Sequence, residues 1–254
     1  MPWDPGQYLK FADQRLRPAI DLLNRIDMAE PREVYDLGSG TGNVTRFLKQ
    51  RWPNAHVTGV DGSAEMLAKA TVALPEISWE QADLSSFRPP RPADLLYSNA
   101  ALQWLGDHKS LFPALVSTLA PGGVLAAQMP RNFLAPSHTA IAEAARMGPW
   151  RGKIEPLLRS SPVSEPGFYY DLLAPRTAQL DIWETEYLQV LEGENPVKEW
   201  TKGTWLRQFL DALHEPERSG FEACYAEIVA RAYPRRADGR TLFPFRRLFI
   251  IARV

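Results

Sequence analysis

The chain has 254 residues, 45% of them hydrophobic, enough for a sizeable core in one large domain or in a domain carrying an elaborate insertion. Its 29 basic and 30 acidic side chains leave a formal net charge of -1, so no global field selects for nucleic acid or an anionic membrane, and any anion recognition is local. The single cysteine, Cys224, excludes an internal disulfide and offers no metal-ligand set; no apolar run approaches the roughly 18 residues of a membrane span, and the opening Met-Pro-Trp-Asp-Pro is no secretory signal, so a cytoplasmic protein is expected.

In chain order, residues 7–26 predict one or two helices packed on the body that follows. Residues 33–129 then alternate short apolar runs with amphipathic stretches, which predicts strands at 34–37, 56–60, 77–80, 94–98 and 124–129 and helices at 44–52, 64–73 and 110–119. Pro53 stops the helix before it, and Pro121-Gly122-Gly123 turns the chain into the strand ending at Met129. This βαβ alternation implies an α/β fold, a doubly wound, mostly parallel sheet with ligands at the carboxyl ends of its strands. Beyond Met129 prolines recur at 130, 136, 149, 156, 162, 166 and 175, with Phe133, Trp150, Phe168, Tyr169 and Tyr170 among them, too long and too aromatic a stretch for a simple loop. Residues 179–191 alternate as a strand, 197–213 and 217–233 have helical spacing, and 242–254 close as a seventh strand rich in Phe and Ile. The expectation is a single domain over 1–254. It has N-terminal helices at 5–27, a nucleotide-binding core of 28–130, 179–191 and 242–254, and a helical lid of 131–178 and 192–240, inserted after strands five and six and folded over the strand ends.

Residues 34–43, Val-Tyr-Asp-Leu-Gly-Ser-Gly-Thr-Gly-Asn, are the most informative run. A strand entering a loop with glycine at every second position lets the backbone approach a ligand closely, because a Cβ at Gly38, Gly40 or Gly42 would fill that space. A dinucleotide fingerprint GxGxxG needs its third glycine where this chain has Asn43. Asp36 sits on the strand beside the glycines, where a carboxylate accepts from a ligand ammonium, so an ammonium-bearing nucleoside fits better than a pyrophosphate. Asp61 stands 19 residues beyond Gly42, close to the offset of about 20 at which a carboxylate meets ribose hydroxyls in a Rossmann-like unit. Gly62-Ser63 can also start a helix there, with Ser63 as N-cap.

These residues resemble the motifs of the class I S-adenosylmethionine-dependent methyltransferases. Asp36-Leu-Gly-Ser-Gly-Thr-Gly42 is similar to the family's first motif, and Val57-Thr-Gly-Val-Asp61-Gly-Ser63 to the acidic end of its second strand. Gln81-Ala-Asp83-Leu84, Asp94-Leu-Leu-Tyr-Ser-Asn99-Ala-Ala-Leu-Gln-Trp104 and Leu119-Ala-Pro-Gly-Gly-Val-Leu125 are similar to the next three, in order. Within the class the chain is most similar, nearly end to end, to the trans-aconitate 2-methyltransferases, through Trp3-Asp-Pro-Gly-Gln-Tyr8, Trp200-Thr-Lys-Gly-Thr204 and Leu242-Phe-Pro-Phe-Arg246-Arg-Leu-Phe249.

The resemblance implies a Rossmann-like, seven-stranded sheet and S-adenosylmethionine as cofactor. Carried over by position, Asp61 and Gly62 meet the ribose, Asp83 accepts from the adenine amino group, and Leu84 and Met66 pack the ring faces. Asn99 lies nearest the sulfonium, Ala100, Gln103 and Trp104 border the methyl-transfer position, and Gln14 or Arg15 reaches the methionine carboxylate. The implied acceptor is a small polycarboxylate, trans-aconitate first; an O- or N-methylated small metabolite is the alternative. Ser98-Asn99-Ala100-Ala101 replaces the Pro-Pro-aromatic tetrad of the enzymes that methylate base amino groups, which disfavours that activity.

A carboxylate acceptor is ionised at neutral pH, since carboxyl pKa values lie near ~4, so no general base and no catalytic side chain is expected. No metal site is expected either, because His56, His108, His138 and His214 are scattered and no Cys-x-x-Cys or His-x-x-x-His occurs. Transfer destroys two opposite charges, so a site that excludes water and aligns the reacting atoms suffices. A cation on the attacking oxygen would blunt it, so arginine or lysine holds the acceptor's other carboxylates. The candidates are Arg131, Lys202 and Arg246, with Arg151, Arg207, Arg240 and Arg247 in reserve, while Tyr8 and Tyr169 shape the pocket. The expected protein is a monomer without nucleic-acid or membrane partners. A nicotinamide-dependent oxidoreductase and a non-catalytic nucleoside-binding module are the readings outside this class, the first opposed by Asn43. An uncharged lid beside His108 or His138 would favour the alternative acceptors, which need a base.

Overall fold

The computed structural model describes residues 12–254, with side chains from Leu16 onward. Its strands are β1 (Glu33–Leu37), β2 (His56–Asp61), β3 (Ser78–Gln81), β4 (Ala93–Asn99), β5 (Leu119–Pro130), β6 (Gln179–Leu191) and β7 (Thr241–Arg253). They form one sheet in the order β3-β2-β1-β4-β5-β7-β6. The first five pair in parallel and β7 runs antiparallel to β5, as the alternation of elements predicts. The α-helices are α1 (Ala12–Arg25), α2 (Thr45–Arg51), α3 (Ala64–Ala73), α4 (His108–Val116), α5 (Pro136–Met147), α6 (Arg151–Ile154), α7 (Pro166–Leu173), α8 (Pro196–Lys202), α9 (Arg207–Leu210) and α10 (Glu217–Ala232).

The chain divides into two compact units. The sheet unit comprises 16–130, 162–185 and 247–254; the described part of the helical unit comprises 131–161 and 186–246. In the sheet unit, β1 has β2 on one side and β4 on the other, which makes it the point where strand order reverses and where such folds open a ligand crevice at the carboxyl ends. Helix α1 buries Ala19, Leu22 and Leu23, and Ile26 just beyond its end continues the spacing of that face. Its terminal carbonyls are met by Arg51 of α2, which donates from Nη2 to the Ile26 carbonyl at 2.6 Å and from Nη1 to that of Leu23.

Several boundaries differ from the sequence pattern for identifiable reasons. The helix expected at 110–119 is α4, which starts three residues after Leu105 closes a short 3-10 turn and uses the Asp107 side chain as N-cap to Ser110 N at 3.3 Å. Pro121-Gly122-Gly123, expected as a turn before a strand, lies inside β5. There the β4 register jumps from Ala93↔Leu119 to Leu95↔Val124, and the extra residues are taken up with Gly122 at φ +78°. The helix expected at 197–213 breaks into α8 and α9 at Gly203-Thr204.

The lid expected at 131–178 also divides, since residues 162–178 belong to the sheet unit. Tyr169 of α7 is fully buried there, its ring 5.0 Å from Phe112 of α4, and its hydroxyl both bonds His108 Nδ1 at 2.7 Å and accepts from Ser164 N at 3.2 Å. Residues 186–191 of β6 and 241–246 of β7 belong instead with the helical unit, where Leu191, Phe243 and Phe245 join Trp150, Trp200, Phe221 and Tyr225 in one apolar core. Trp150 enters because Gly220 of α10 has no side chain: a Cβ there would stand 2.8 Å from the indole, whose Nε1 donates to the Ala144 carbonyl at 2.8 Å.

Candidate active site

The glycine loop leaves β1 pinned to its neighbour: Gly38 N and Ser39 N both donate to the Val60 carbonyl of β2, at 2.8 and 3.1 Å. All three glycines have positive φ, which a side chain disfavours. Their roles differ, and this corrects the expectation that each clears room for a ligand. A Cβ on Gly38 would overlap the Ala101 methyl, and one on Gly42 would stand 2.7 Å from the Trp79 indole. Only at Gly40 would a Cβ meet nothing within 4 Å, so Gly40 is the loop glycine that faces open space. Gly38 and Gly42 serve the protein's own packing.

Around this space the carboxylates are positioned by short, specific bonds. Asp36 is buried in β1 and accepts from Thr45 Oγ1 of α2 at 2.6 Å. Burial pushes its carboxyl up to about 7, the Thr45 bond opposing the rise and the Asp61 charge adding to it. A cation arriving beside Asp36 would restore the ionised form, the behaviour wanted of an ammonium acceptor. Asp61, at the end of β2, accepts from Gly40 N through Oδ2 and from Ser63 N through Oδ1, both at 2.9 Å. These two bonds use about half of a carboxylate's lone-pair sites, leaving capacity for ribose hydroxyls. The helix-start role also holds, since Ser63 accepts from Met66 N at 3.3 Å and caps α3. Gly62 is exposed next to Asp61, and Met66 is half-buried. Asp83, after β3, is exposed and accepts from Ser85 N at 2.9 Å and Ser85 Oγ at 2.8 Å, which hold its carboxyl below the usual range; Leu84 beside it is half-buried.

The end of β4 is strained and incompletely satisfied. Ala100 has φ +54°, a left-handed conformation held by its N–H on the Gln128 carbonyl at 2.9 Å and by Gln103 Nε2 on its own carbonyl at 2.7 Å. The side-chain oxygens Asn99 Oδ1 and Gln103 Oε1 are buried without a hydrogen-bond partner among the described residues, as is the Ser39 hydroxyl in the loop. Buried polar atoms normally pair, so these three atoms can still take a hydrogen bond from a ligand. The open face of Gly40, the acids at three strand ends and the unpaired oxygens of Asn99 and Gln103 fit a nucleoside with a positively charged amino-acid arm.

The residues expected to hold an acceptor fall in both units. Gln103 is buried and Trp104 is 56% exposed, both in the sheet unit beside Asn99. In the helical unit, Arg131 N donates to the Arg246 carbonyl at 3.0 Å, Arg246 Nη2 lies 3.8 Å from Glu186, and Lys202 donates to Glu222 at 2.6 Å. Of the reserves, Arg151 bonds Glu155 at 2.8 Å, Arg207 lies 3.5 Å from Asp211 and Arg240 bonds Glu192 at 3.2 Å. Tyr169, expected at the pocket, is instead a core residue of the sheet unit. Tyr8 and the side chains of Gln14 and Arg15 lie outside the described residues.

Neither histidine weighed as a base is poised to act as one. His108 is buried, with Nε2 donating to the Leu102 carbonyl at 2.9 Å and Nδ1 on the Tyr169 hydroxyl, and burial lowers its pKa. Burial pushes His138 down to about 4, a neutral ring 3.0 Å from Ser137 Oγ. Sequence reasoning missed Thr45, Trp79 and Gln128. For Gln128 a signal existed: it is the one polar residue in the run Val124-Leu-Ala-Ala-Gln-Met129, and a buried polar group is the informative exception in a core strand.

The sheet order and the acid-flanked glycine loop define an S-adenosylmethionine-dependent methyltransferase of the Rossmann-like class. Residues 34–123 match a family model described as a methyltransferase domain. Over 250 residues, 98% of each chain, the sequence is 49% identical to the trans-aconitate 2-methyltransferase of Azoarcus sp. (strain BH72). The chain belongs to the trans-aconitate 2-methyltransferase family. In fold it is similar to the YcgJ protein from Bacillus subtilis, with a TM-score of 0.59 at 14% identity over 95% of this chain and 98% of that one. It is also similar to a phosphoethanolamine N-methyltransferase 2 of Haemonchus contortus in complex with S-adenosylhomocysteine, with a TM-score of 0.56 at 16% identity over 93% of this chain and 52% of that one.

Proposed function

We propose that the protein transfers a methyl group from S-adenosylmethionine to a carboxylate of a small polycarboxylic acid, trans-aconitate first, giving a monomethyl ester. The observation that carries the reading is the likeness to trans-aconitate 2-methyltransferases over 98% of both chains. When bound, the cofactor supplies an electrophilic methyl carbon, which leaves the sulfonium for a carboxylate oxygen as S-adenosylhomocysteine departs. In this reading Asp36 accepts from the cofactor's ammonium, Asp61 from the ribose and Asp83 from the adenine amino group. Leu84 and Met66 pack the ring, Gly40 leaves the backbone open, and Asn99 turns its unpaired oxygen toward the positive end. The acceptor is already ionised at neutral pH, so the chain's task is to orient it and exclude water, and orientation contributes roughly 7 to 11 kcal/mol in favourable cases. The engagement of both His108 ring nitrogens supports a reaction without a general base. The protein is further proposed to act as a cytoplasmic monomer on a small molecule rather than nucleic acid; no helix among the described residues is long and apolar enough to cross a membrane.

The test is transfer of labelled methyl across a panel of unsaturated and saturated tricarboxylates, with amine, phenol and base acceptors alongside. A base-labile product from trans-aconitate is expected. Label appearing only in the amine or phenol products would overturn the assignment of acceptor.

A further inference from the structure

Gln128 of β5 is fully buried, and Arg247 of β7 is 4% exposed. Gln128 lies opposite Phe249 in the antiparallel β5–β7 ladder, and Arg247 is two residues from Phe249, so the period of two puts both side chains on one face of the sheet. Arg247 Nη1 donates to Gln128 Oε1 at 3.3 Å. That bond occupies the amide oxygen, while Gln128 Nε2 is buried with no hydrogen-bond partner among the described residues. Gln128 is also the register partner of Asn99, the β4 residue with an unpaired buried oxygen. The sheet at the carboxyl ends of β4 and β5, with the part of β7 that pairs there, therefore carries two poles. On β4 and the turn after it, Asn99 and Gln103 present unpaired acceptors, which suit a positive ligand atom. On β5 and β7, an unpaired amide donor stands beside a buried guanidinium, which suits an anion.

We propose that Gln128 and Arg247 together bind a non-reacting carboxylate of the methyl acceptor and set its specificity for polycarboxylates. Resting on the acceptor class proposed above, this moves the anchor from the helical unit's Arg131, Lys202 and Arg246 to the sheet itself. The two poles orient the acceptor, with one carboxylate held by donors over β5 and β7 and the other left free of cations toward β4. A free attacking oxygen keeps its nucleophilicity, which a guanidinium bonded to it would diminish.

The experiment compares wild type with Gln128→Glu, Gln128→Leu and Arg247→Lys, each first checked for wild-type circular dichroism. Gln128→Glu keeps the volume, pairs with Arg247 and puts a negative charge where the acceptor's would sit. The expected result is a KM for trans-aconitate raised roughly 30-fold by Gln128→Glu and roughly tenfold by Gln128→Leu, the scale of a lost charge-assisted hydrogen bond. Calorimetric affinity for S-adenosylhomocysteine should stay within about threefold, and kcat should change less than KM. Arg247→Lys should fall between wild type and Gln128→Glu. A preference for tricarboxylate over monocarboxylate acceptors should shrink in the same order. A wild-type KM in folded Gln128→Glu, or equal losses of cofactor affinity and kcat without a KM change, would overturn this inference while leaving the esterification reading intact. Wild type that labels no carboxylate at all would overturn that reading, and the inference with it; should Arg247→Lys fail to fold, the two Gln128 variants decide.

Discussion

The two units treat buried polarity in opposite ways. In the helical unit, the described buried polar groups answer one another: Thr201 Oγ1 bonds the Tyr225 hydroxyl at 2.8 Å, that hydroxyl donates to the Ser137 carbonyl at 2.8 Å, and Asn132 Nδ2 donates to Ser137 Oγ at 3.2 Å. Around them lies an aromatic core of Trp150, Trp200, Phe221, Phe243 and Phe245. In the sheet unit, by contrast, Ser39, Asn99, Gln103 and Gln128 each hold a buried polar atom without a partner among the described residues, and Ala100 keeps a strained backbone among them. A region that satisfies itself is built for stability; one that leaves donors and acceptors unmet at strand ends is built to be completed by ligands. Desolvated but unpaired groups cost about 1–3 kcal/mol each, a cost that binding removes.

That contrast is open to test from both sides. The largest expected effect is in the helical unit: Trp150→Ala should destabilise the fold by about 3–5 kcal/mol, read by denaturant titration, since it empties an indole-sized space beside Gly220. Affinity for S-adenosylhomocysteine, measured by calorimetry below the transition, should stay within about threefold, and a large parallel loss would break the division of labour. Next in size, Asp61→Ala should weaken cofactor binding roughly tenfold or more, about 1.4 kcal/mol, because both the loop anchor on Gly40 and the proposed ribose acceptor go.

A smaller and pH-dependent effect is expected at Asp36. Its carboxyl is raised in the fold to about 7, so its contribution to stability is full below about 4 and is lost as pH rises toward 7. Asp36→Asn removes that loss, so the variant's melting temperature should rise relative to wild type between pH 5 and pH 8. An ammonium ligand favours the ionised form, so wild-type cofactor affinity should increase between pH 5.5 and 7.5 with proton release, and the variant's should stay flat. A wild-type profile without slope would remove Asp36 from the ammonium. The smallest effect on chemistry belongs to His108→Ala. Losing the bridge between Leu102 and Tyr169 should lower the melting temperature by several degrees, yet turnover per folded molecule should remain within about twofold. An inactive but folded variant would contradict the base-free mechanism.

Much of the sheet unit was legible because its signals are local. The apolar runs that became β1, β2, β4 and the later part of β5 are short and bounded by turn residues, and the acids Asp36 and Asp61 sit at fixed offsets from the glycines. The bulge in β5 was read as a turn because Pro121-Gly122-Gly123 is turn chemistry, and only pairing with β4 reveals that the strand continues through it. Tyr169 was placed in the lid because the proline-rich stretch around it shows no period, whereas its ring and hydroxyl are claimed by Phe112 and His108, some 60 residues away in the chain.

What the sequence alone determined is the class of sheet, the glycine loop and the acidic strand ends, since periodicity and local spacing encode them. The tertiary structure decided which glycine faces open space and which merely admits a neighbour, because Ala101 from the turn after β4 and Trp79 from β3 stand against Gly38 and Gly42. It also decided that a glutamine and an arginine 119 residues apart share one buried face. Such meetings depend on strand order and register, which no local pattern specifies, and the side chains that end unpaired there are known only once every other partner is in place.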